Sequence, residues 1–271
     1  MLDWRYVSAA RVRIQLLALK LLLVPAFLAA ISLAARRWGP EVAGWLAGFP
    51  SMTGPILLFL AIERGAAFTM QAAAGSLAAV SAAIAFCVAY SWACRRLAWF
   101  WCWACAGLAW GATGLLLAAM PVSTLTALMI ALFTLFFAPR AFPRSAERWG
   151  RSALPAHEIL LRMLAGAAMV LVVTGVAETV GPAWTGLLAV FPILSSVLAV
   201  FSHRANGPGF TIALLRSMVG GFYAFIAFCL GVAVLLEAQG IAVTFVVATA
   251  AAVAVQGAAK AIIMRSAKLK S

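Results

Sequence analysis

Charged residues are scarce in this chain, and acidic residues are the scarcest. Only 10% of the 271 residues are charged, with 7 Asp and Glu against 20 Lys and Arg, whereas 66% are hydrophobic. So few polar side chains cannot cover the surface of a soluble protein. Apolar runs of about twenty residues recur, each long enough to cross about 30 Å of hydrocarbon as a helix. The composition therefore predicts an integral membrane protein with little mass outside the bilayer.

Histidine is also scarce, which limits the metal and catalytic chemistry that the chain can hold. His157 and His203 are both predicted in loops, so a closed zinc site is not supported. The sequence has no Gly-rich loop before a Lys, no His-Glu-x-x-His and no paired carboxylates. We therefore expect neither an enzyme nor a bound cofactor or metal. The five cysteines are interpreted as small buried apolar side chains.

The net charge of +13 comes mostly from residues between the apolar runs. In a membrane protein such residues set the orientation and contact the anionic headgroups of the lipid bilayer, so nucleic-acid binding is not expected. The basic loop 139–157 and the basic tail favour a cytoplasmic C-terminus and an outside N-terminus. Arg5, Arg11 and Arg13 disagree with this orientation. We predict a multi-pass protein of the bacterial inner membrane, and its oligomeric state, including a homo-oligomer, stays open.

One stretch of the chain occurs twice, 142 positions apart. Residues 39–90 align with residues 181–232 without a gap, and 16 of these 52 positions are identical. The shared patterns include Gly-Pro, Phe-Pro and Gly-x-x-Phe-Thr, which an alanine-rich composition does not explain. The alignment indicates an internal duplication.

Hydropathy predicts nine spans, and the duplication pairs them. They lie near 14–35, 41–62, 66–93, 97–119, 121–138, 158–178, 182–203, 208–236 and 240–262. The offset of 142 matches spans one to four with spans six to nine and leaves the fifth as a connector. Units that begin five crossings apart enter the membrane from opposite sides, so the two halves are predicted to be inverted.

Charge supports the inversion independently. Arg36 and Arg37 correspond to Glu178 and Thr179, and residues 95–96, both Arg, correspond to 237–238, Glu-Ala. Because cytoplasmic loops are rich in Lys and Arg, equivalent loops of exchanged charge should face opposite sides. We predict an all-α polytopic membrane protein with inverted four-helix repeats at 1–120 and 158–271. A connector helix and a basic loop at 121–157 join them.

Proline interrupts the second and seventh predicted spans at matching places. Such a proline removes a backbone donor and frees carbonyls, here near Leu46 and Leu188, which need protein or water partners in hydrocarbon. Interrupted helices near the midplane hold the substrate in inverted-repeat transporters. We interpret both places as one small-molecule site, with a pair of ordinary packed kinks as the alternative. Its predicted residues are Phe49, Pro50, Ser51, Thr53, Gly54, Phe191, Pro192, Ser195 and Ser196.

Three basic residues inside predicted spans are further candidates for substrate binding. Lys20 and Arg162 are 142 positions apart, each one or two turns from a helix start, so both could also reach the membrane interface. Arg216 is predicted about two turns into the eighth span. A charge within the bilayer is costly and is usually functional. If these side chains line a cavity, they favour an anionic solute.

Each repeat resembles small four-span bacterial membrane proteins of uncharacterised function. In those proteins a Leu-Pro or Phe-Pro break is followed by an acidic turn. The matching points are Phe49-Pro50 with Glu63-Arg64 and Phe191-Pro192 with His203-Arg204, although the second copy lacks the acidic residue. The general organisation is similar to inverted-repeat secondary transporters.

The sequence thus leads to one functional hypothesis and two alternatives. The first is a secondary transporter, either an exporter or an exchanger, that moves a small solute by alternating access between the repeats. One alternative is a lipid-handling protein or enzyme that acts at the cytoplasmic interface through the arginines of loop 139–157. The other is a channel, which would need a continuous polar stripe that the apolar spans lack.

Overall fold

A computed structural model describes residues 4–120, 123–143, 156–179 and 191–268 of the chain. Side chains are described within 14–120, 123–143, 157–176 and 191–258. All regular structure in these ranges is α-helical. The helices are α1 (Trp4–Trp38), α2 (Pro40–Ala47), α3 (Thr53–Arg64), α4 (Ala66–Ala93), α5 (Trp99–Ala118), α6 (Thr124–Ala141), α7 (Ala156–Thr179) and α8 (Ile193–Lys268).

Six of these eight helices are long and apolar enough to cross a membrane by length and composition: α1, α4, α5, α6, α7 and α8. They present many large apolar side chains on their outer surfaces, among them Leu22, Leu108, Phe133 and Val246. Lipid tails tolerate such surfaces, whereas a soluble protein rarely exposes them in large patches. The architecture is that of a multi-pass α-helical membrane protein.

The longest helix, α8, reverses direction twice. Gly207 and Gly240 have φ of 81° and 70°, a region that side chains other than glycine rarely adopt. We therefore divide α8 into α8a (193–206), α8b (208–239) and α8c (241–268). Ser195 of α8a contacts Met218 of α8b, and Gly231 of α8b packs on Ala248 of α8c, so each pair folds back on itself.

The predicted second span consists of two short helices. The 8 residues of α2 and the 12 residues of α3 measure about 12 Å and about 18 Å along the axis, so neither spans the hydrocarbon alone. Residues 48–52 interrupt them and are called the first break. The second break is at residues 191–192, just before α8a. Residues 182–190 of the predicted seventh span lie outside the described part of the chain.

Helices α1 and α7 pack against each other in antiparallel directions. Gly166 of α7 is so close to Val24 and Leu28 of α1 that a Cβ at position 166 would overlap the Leu28 side chain. One turn earlier in α7, the guanidinium of Arg162 reaches Ser32, which is one turn later in α1. As the residue number falls along one helix it rises along the other, which defines the antiparallel pair.

Glycine allows α2 to pack directly on α8b. A Cβ at Gly44 would overlap the carbonyl oxygen of Leu214, and a Cβ at Gly221 would lie 2.8 Å from the Cα of Gly48. Small residues at helix contacts permit this backbone-to-backbone approach in membranes. Since position 44 meets 214 and position 48 meets 221, these two helices run parallel.

Several helix ends meet at one face of the molecule, where arginines collect. The indole N–H of Trp92 at the end of α4 donates to the carbonyl of Ala141 at the end of α6, 2.7 Å away. The guanidinium of Arg204 at the end of α8a lies over the ring of Trp99. We call this the basic face; its arginines in the described residues are Arg36, Arg37, Arg95, Arg96, Arg140, Arg204 and Arg216.

Candidate functional site

The first break is a tight turn centred on Pro50. The N–H of Ser51 donates to the carbonyl of Phe49 at 2.7 Å, which closes a three-residue turn around the proline. The N–H of Gly54 donates to the carbonyl of Pro50 at 2.8 Å and begins α3. The proline ring fixes its own φ and supplies no donor, so the helix stops and restarts here.

The second break repeats these hydrogen bonds 142 residues later. The N–H of Ile193 donates to the carbonyl of Phe191 at 2.8 Å, and the N–H of Ser196 donates to that of Pro192 at 2.9 Å. The helix after each break ends at a glycine of positive φ, 82° at Gly65 and 81° at Gly207. The shared Phe-Pro pair thus occurs with the same two hydrogen bonds at both places.

A threonine in the first turn of the next helix forms a hydrogen bond with each of these glycines. The Oγ1 of Thr69 donates to the carbonyl of Gly65, and the Oγ1 of Thr211 donates to the carbonyl of Gly207, both at 3.0 Å. Both threonines are fully buried. The correspondence between the two stretches therefore extends from the breaks through the turns to the next helices.

The carbonyl that the first break displaces belongs to Trp45. The N–H of Phe49 bonds to the carbonyl of Leu46 at 3.2 Å, so the displaced carbonyl lies one residue before Leu46, near the predicted place. The side-chain amide of Gln256 in α8c donates to the Trp45 carbonyl at 2.7 Å. A polar side chain from the last helix therefore satisfies the broken helix inside the membrane. The corresponding carbonyl near Leu188 is outside the described residues.

Met218 of α8b connects α2 with α8a. Its backbone lies against Gly44 and Gly48 of α2, and its sulfur accepts a long contact of 4.0 Å from the hydroxyl of Ser195. Ser195 is also within hydrogen-bonding reach of the Cys87 thiol on α4. Met218 thus contacts both the helix before the first break and the helix after the second break. A cavity common to both breaks stays a prediction.

The predicted site residues differ in exposure. Pro50, Ser195 and Ser196 are buried, and the remaining members are half-buried: Phe49, Ser51, Thr53, Gly54, Phe191 and Pro192. The hydroxyl of Ser196 has no hydrogen-bond partner within the described residues. Gly54 faces the ring of Phe228 on α8b, and a Cβ there would lie 3.5 Å from its Cζ.

An aromatic cluster surrounds the start of the second break. The Phe191 ring packs edge-on against Trp110 and Trp103 of α5, with centroids 5.0 Å and 6.5 Å apart. Neither indole N–H has an acceptor in the described part of the chain. This packing attaches the second break to α5.

Arg162 is completely buried. The residue is 0% exposed and lies between α1 and α8a, with the Phe201 ring 5.8 Å from its Cζ. Its Nη1 donates to the Ser32 hydroxyl at 3.4 Å, and its Nη2 is 3.7 Å from a carboxylate oxygen of Glu158. The Nε and Nη2 atoms make no hydrogen bond with any described residue. The guanidinium therefore points into the protein and does not extend to the membrane interface.

The two other basic candidates are less enclosed. Lys20, the counterpart of Arg162 in α1, is half-buried. Arg216 is exposed, and its Nη2 donates to the Pro139 carbonyl at 3.4 Å near the end of α6. The structure therefore places Arg216 on the basic face and not at the breaks.

Sequence reasoning missed four residues that complete these arrangements: Ser32, Glu158, Met218 and Gln256. Glu158 and Gln256 carried a signal, because a carboxylate one turn before Arg162 and an amide within a long apolar run are both unusual in a span. Ser32 and Met218 carried none, since a serine or a methionine in an apolar helix is ordinary.

Compared with known protein families, with curated proteins and with solved structures, the chain matches none of them.

Proposed function

We propose that the protein is a secondary transporter that moves a small anionic solute, as an exporter or exchanger, by alternating access between two inverted repeats. In this proposal the chain crosses the membrane nine times. Repeat one covers residues 1–120, repeat two covers residues 158–271, and α6 with the loop after it connects them. The second crossing is α2 with α3, and the seventh covers 182–206.

The observation that carries the proposal is the pair of equivalent breaks. A helix begins within three residues after each Phe-Pro pair with the same hydrogen bonds, and α2 and α8a both contact Met218 of α8b. Backbone irregularity of this kind is tolerated at membrane depth only where protein or a wet cavity satisfies it. In inverted-repeat transporters such breaks form the substrate site, and the two halves exchange conformations around it.

The relative directions of neighbouring helices support nine alternating crossings. Crossings of the same parity run in the same direction, and α4 (third) and α6 (fifth) are parallel, because Ser81 meets Thr134 and Trp92 meets Ala141. The same holds for α2 (second) and α8b (eighth). In contrast, α1 (first) and α7 (sixth) differ in parity and are antiparallel.

The antiparallel contact of α1 and α7 also supports the inversion. Val24 and Gly166 are equivalent positions of the two repeats, and they lie against each other. Two equivalent helices that meet at equivalent positions in opposite directions are related by a local two-fold axis in the membrane plane. That is the symmetry of inverted-repeat transporters.

The orientation in this proposal follows from the basic face. Seven described arginines lie at this end of the molecule, and positive charge favours the cytoplasmic side. We therefore place the basic face and the C-terminus in the cytoplasm of a bacterial inner membrane, where the arginines contact anionic headgroups.

A second candidate function is lipid handling at the cytoplasmic interface. A recess of about 600 Å³ lies at the end of α1, with Arg36 and Arg37 in its lining. Arginines at the end of a membrane helix can bind the phosphate of a lipid headgroup. The arginines at 144, 148 and 151, on which this alternative first depended, lie outside the described residues. The transporter remains the stronger proposal because the recess does not involve the breaks.

Flux in proteoliposomes tests the proposal. Small organic anions are first screened by thermal stabilisation, and each hit is then tested for uptake into liposomes with and without an internal load. A transporter gives saturable uptake that the internal solute accelerates if it is an exchanger. Non-saturable flux would favour a channel. Lipid transfer without solute flux would favour the second candidate.

A further inference from the structure

Arg162 carries an unused hydrogen-bonding edge in the interior of the protein. We propose that this edge binds the carboxylate of a small organic anion, and that Glu158 occupies its entrance when the anion is absent. The inference rests on the proposed function and deepens it, since it names the class of substrate and the residue that recognises it.

The free edge has the geometry of a bidentate carboxylate site. Nε and Nη2 are adjacent nitrogens on one side of the planar guanidinium, and their two N–H groups point in parallel directions. Neither makes a hydrogen bond with a described residue, while Nη1 on the other side is held by Ser32 at 3.4 Å. Two parallel donors match the two oxygens of one carboxylate. A buried guanidinium with this edge empty is costly, so a bound anion would stabilise it.

Glu158 is the acidic group that lies beside the guanidinium of Arg162. Its carboxylate oxygen is 3.7 Å from Nη2, which is beyond hydrogen-bonding distance, and that oxygen has no hydrogen-bond partner within the described residues. The Glu158 side chain is 25% exposed, whereas that of Arg162 is 1% exposed. In this proposal the more exposed acid stands on the side from which the anion enters. Its negative charge balances that of Arg162, but it makes no hydrogen bond with Nε or Nη2. A substrate carboxylate competes with Glu158 for these two donors.

The surroundings favour a monovalent anion with an apolar body. The Phe201 ring lies 5.8 Å from the guanidinium carbon, and one turn along α7 the helix packs on Val24 and Leu28. Arg162 is the one guanidinium in this apolar environment among the described residues, so it balances a single negative charge. A dianion such as phosphate would leave a charge uncompensated, at a high desolvation cost.

Binding measurements on the purified full-length protein test the inference without any flux assay. Sodium benzoate, acetate, phosphate and chloride are titrated against the wild type and against Arg162→Gln, Arg162→Lys, Glu158→Gln and Arg216→Gln. We expect benzoate to stabilise the wild type and to lose this effect in both Arg162 variants, because lysine keeps the charge without the bidentate edge. Glu158→Gln should raise the affinity for benzoate by about tenfold, since the competing carboxylate is removed. Arg216→Gln should bind as the wild type does.

Each other outcome overturns the inference. Benzoate binding that survives in Arg162→Gln places the anion elsewhere. If neither the wild type nor Glu158→Gln binds either carboxylate, the edge is not a carboxylate site. Equal or stronger binding of phosphate or chloride contradicts the carboxylate class. The proposed function fails separately: Arg162-dependent binding without solute flux in proteoliposomes would keep the anion site and remove the transporter.

Discussion

Val24 and Gly166 are 142 positions apart in the chain and lie against each other where α1 packs on α7. A Cβ added to Gly166 would lie 3.0 Å from Cγ1 of Val24 and would overlap Leu28. One helix of each repeat thus contributes the same position to a shared contact. The buried Arg162 lies one turn away in α7, where its Nη1 donates to Ser32 of α1.

A large side chain at Gly166 should separate α1 from α7. Gly166→Leu inserts atoms into a contact with no room for a Cβ, so we expect a loss of about 1–3 kcal/mol in stability. Thermal unfolding in detergent measures the effect. Gly175→Leu on the same helix is the control, because a Cβ there meets nothing within 4 Å. Equal effects of both substitutions would contradict the contact.

Two adjacent glycines of α8b should respond to alanine with opposite sign. Alanine favours helix over glycine by about 1 kcal/mol, so Gly220→Ala, whose Cβ meets nothing within 4 Å, should not destabilise the protein. Gly221→Ala puts its Cβ 2.8 Å from the Cα of Gly48. Because backbone cannot move aside as a side chain can, we expect a loss of about 1–3 kcal/mol. A melting temperature that rises in both variants would refute direct packing of α2 on α8b.

Gln256 should stabilise the first break across the protein. Its amide donates to the Trp45 carbonyl at 2.7 Å, and hydrogen bonds between membrane helices contribute about 0.6 kcal/mol on average and up to about 1.7 kcal/mol. Gln256→Leu keeps the volume and removes this hydrogen bond. We expect a lower unfolding temperature, whereas Gln239→Leu, at an exposed position, should have little effect. No difference between these two variants would show that the Trp45 carbonyl does not need Gln256.

The proline breaks should matter more for transport than for folding. Pro50→Ala and Pro192→Ala supply a backbone donor and favour a continuous helix. We expect both variants to remain in the membrane with transport reduced about tenfold or more, because small displacements of binding groups reduce activity by such factors. Pro25→Ala is the matched control, because α1 continues through Pro25 without a break. Flux per mole of protein in proteoliposomes is the measurement. Full activity of both break variants, or equal loss in the control, would contradict a role for the breaks.

Sequence reasoning predicted the helices well because their signals are local. Span 66–93 coincides with α4, and the interruption at Phe49-Pro50 follows from the missing proline donor. It also predicted separate spans 208–236 and 240–262 after the seventh, and the chain reverses next to these boundaries at Gly207 and Gly240. A single glycine of positive φ suffices for such a turn without an intervening loop.

The candidate site was less predictable because its contacts are long-range. The Trp45 carbonyl meets a side chain 211 residues later, and Arg162 meets Ser32 130 residues earlier. The helical position of Arg162 placed it near an end of its span. Which face of α7 the guanidinium occupies, and hence its burial, depends on how α1 and α8a pack there. A single sequence carries no direct signal for that packing.

The inversion of the two repeats is the central claim, and cysteine labelling tests it most directly. Single cysteines at positions 36 and 178, in a variant without the five native cysteines, are treated in intact cells with a maleimide that does not cross membranes. Position 178 should react from outside the cell, and position 36 should react only after the cytoplasmic side is opened. If both cysteines react from the same side, the repeats are not inverted and the proposed alternating-access mechanism is wrong.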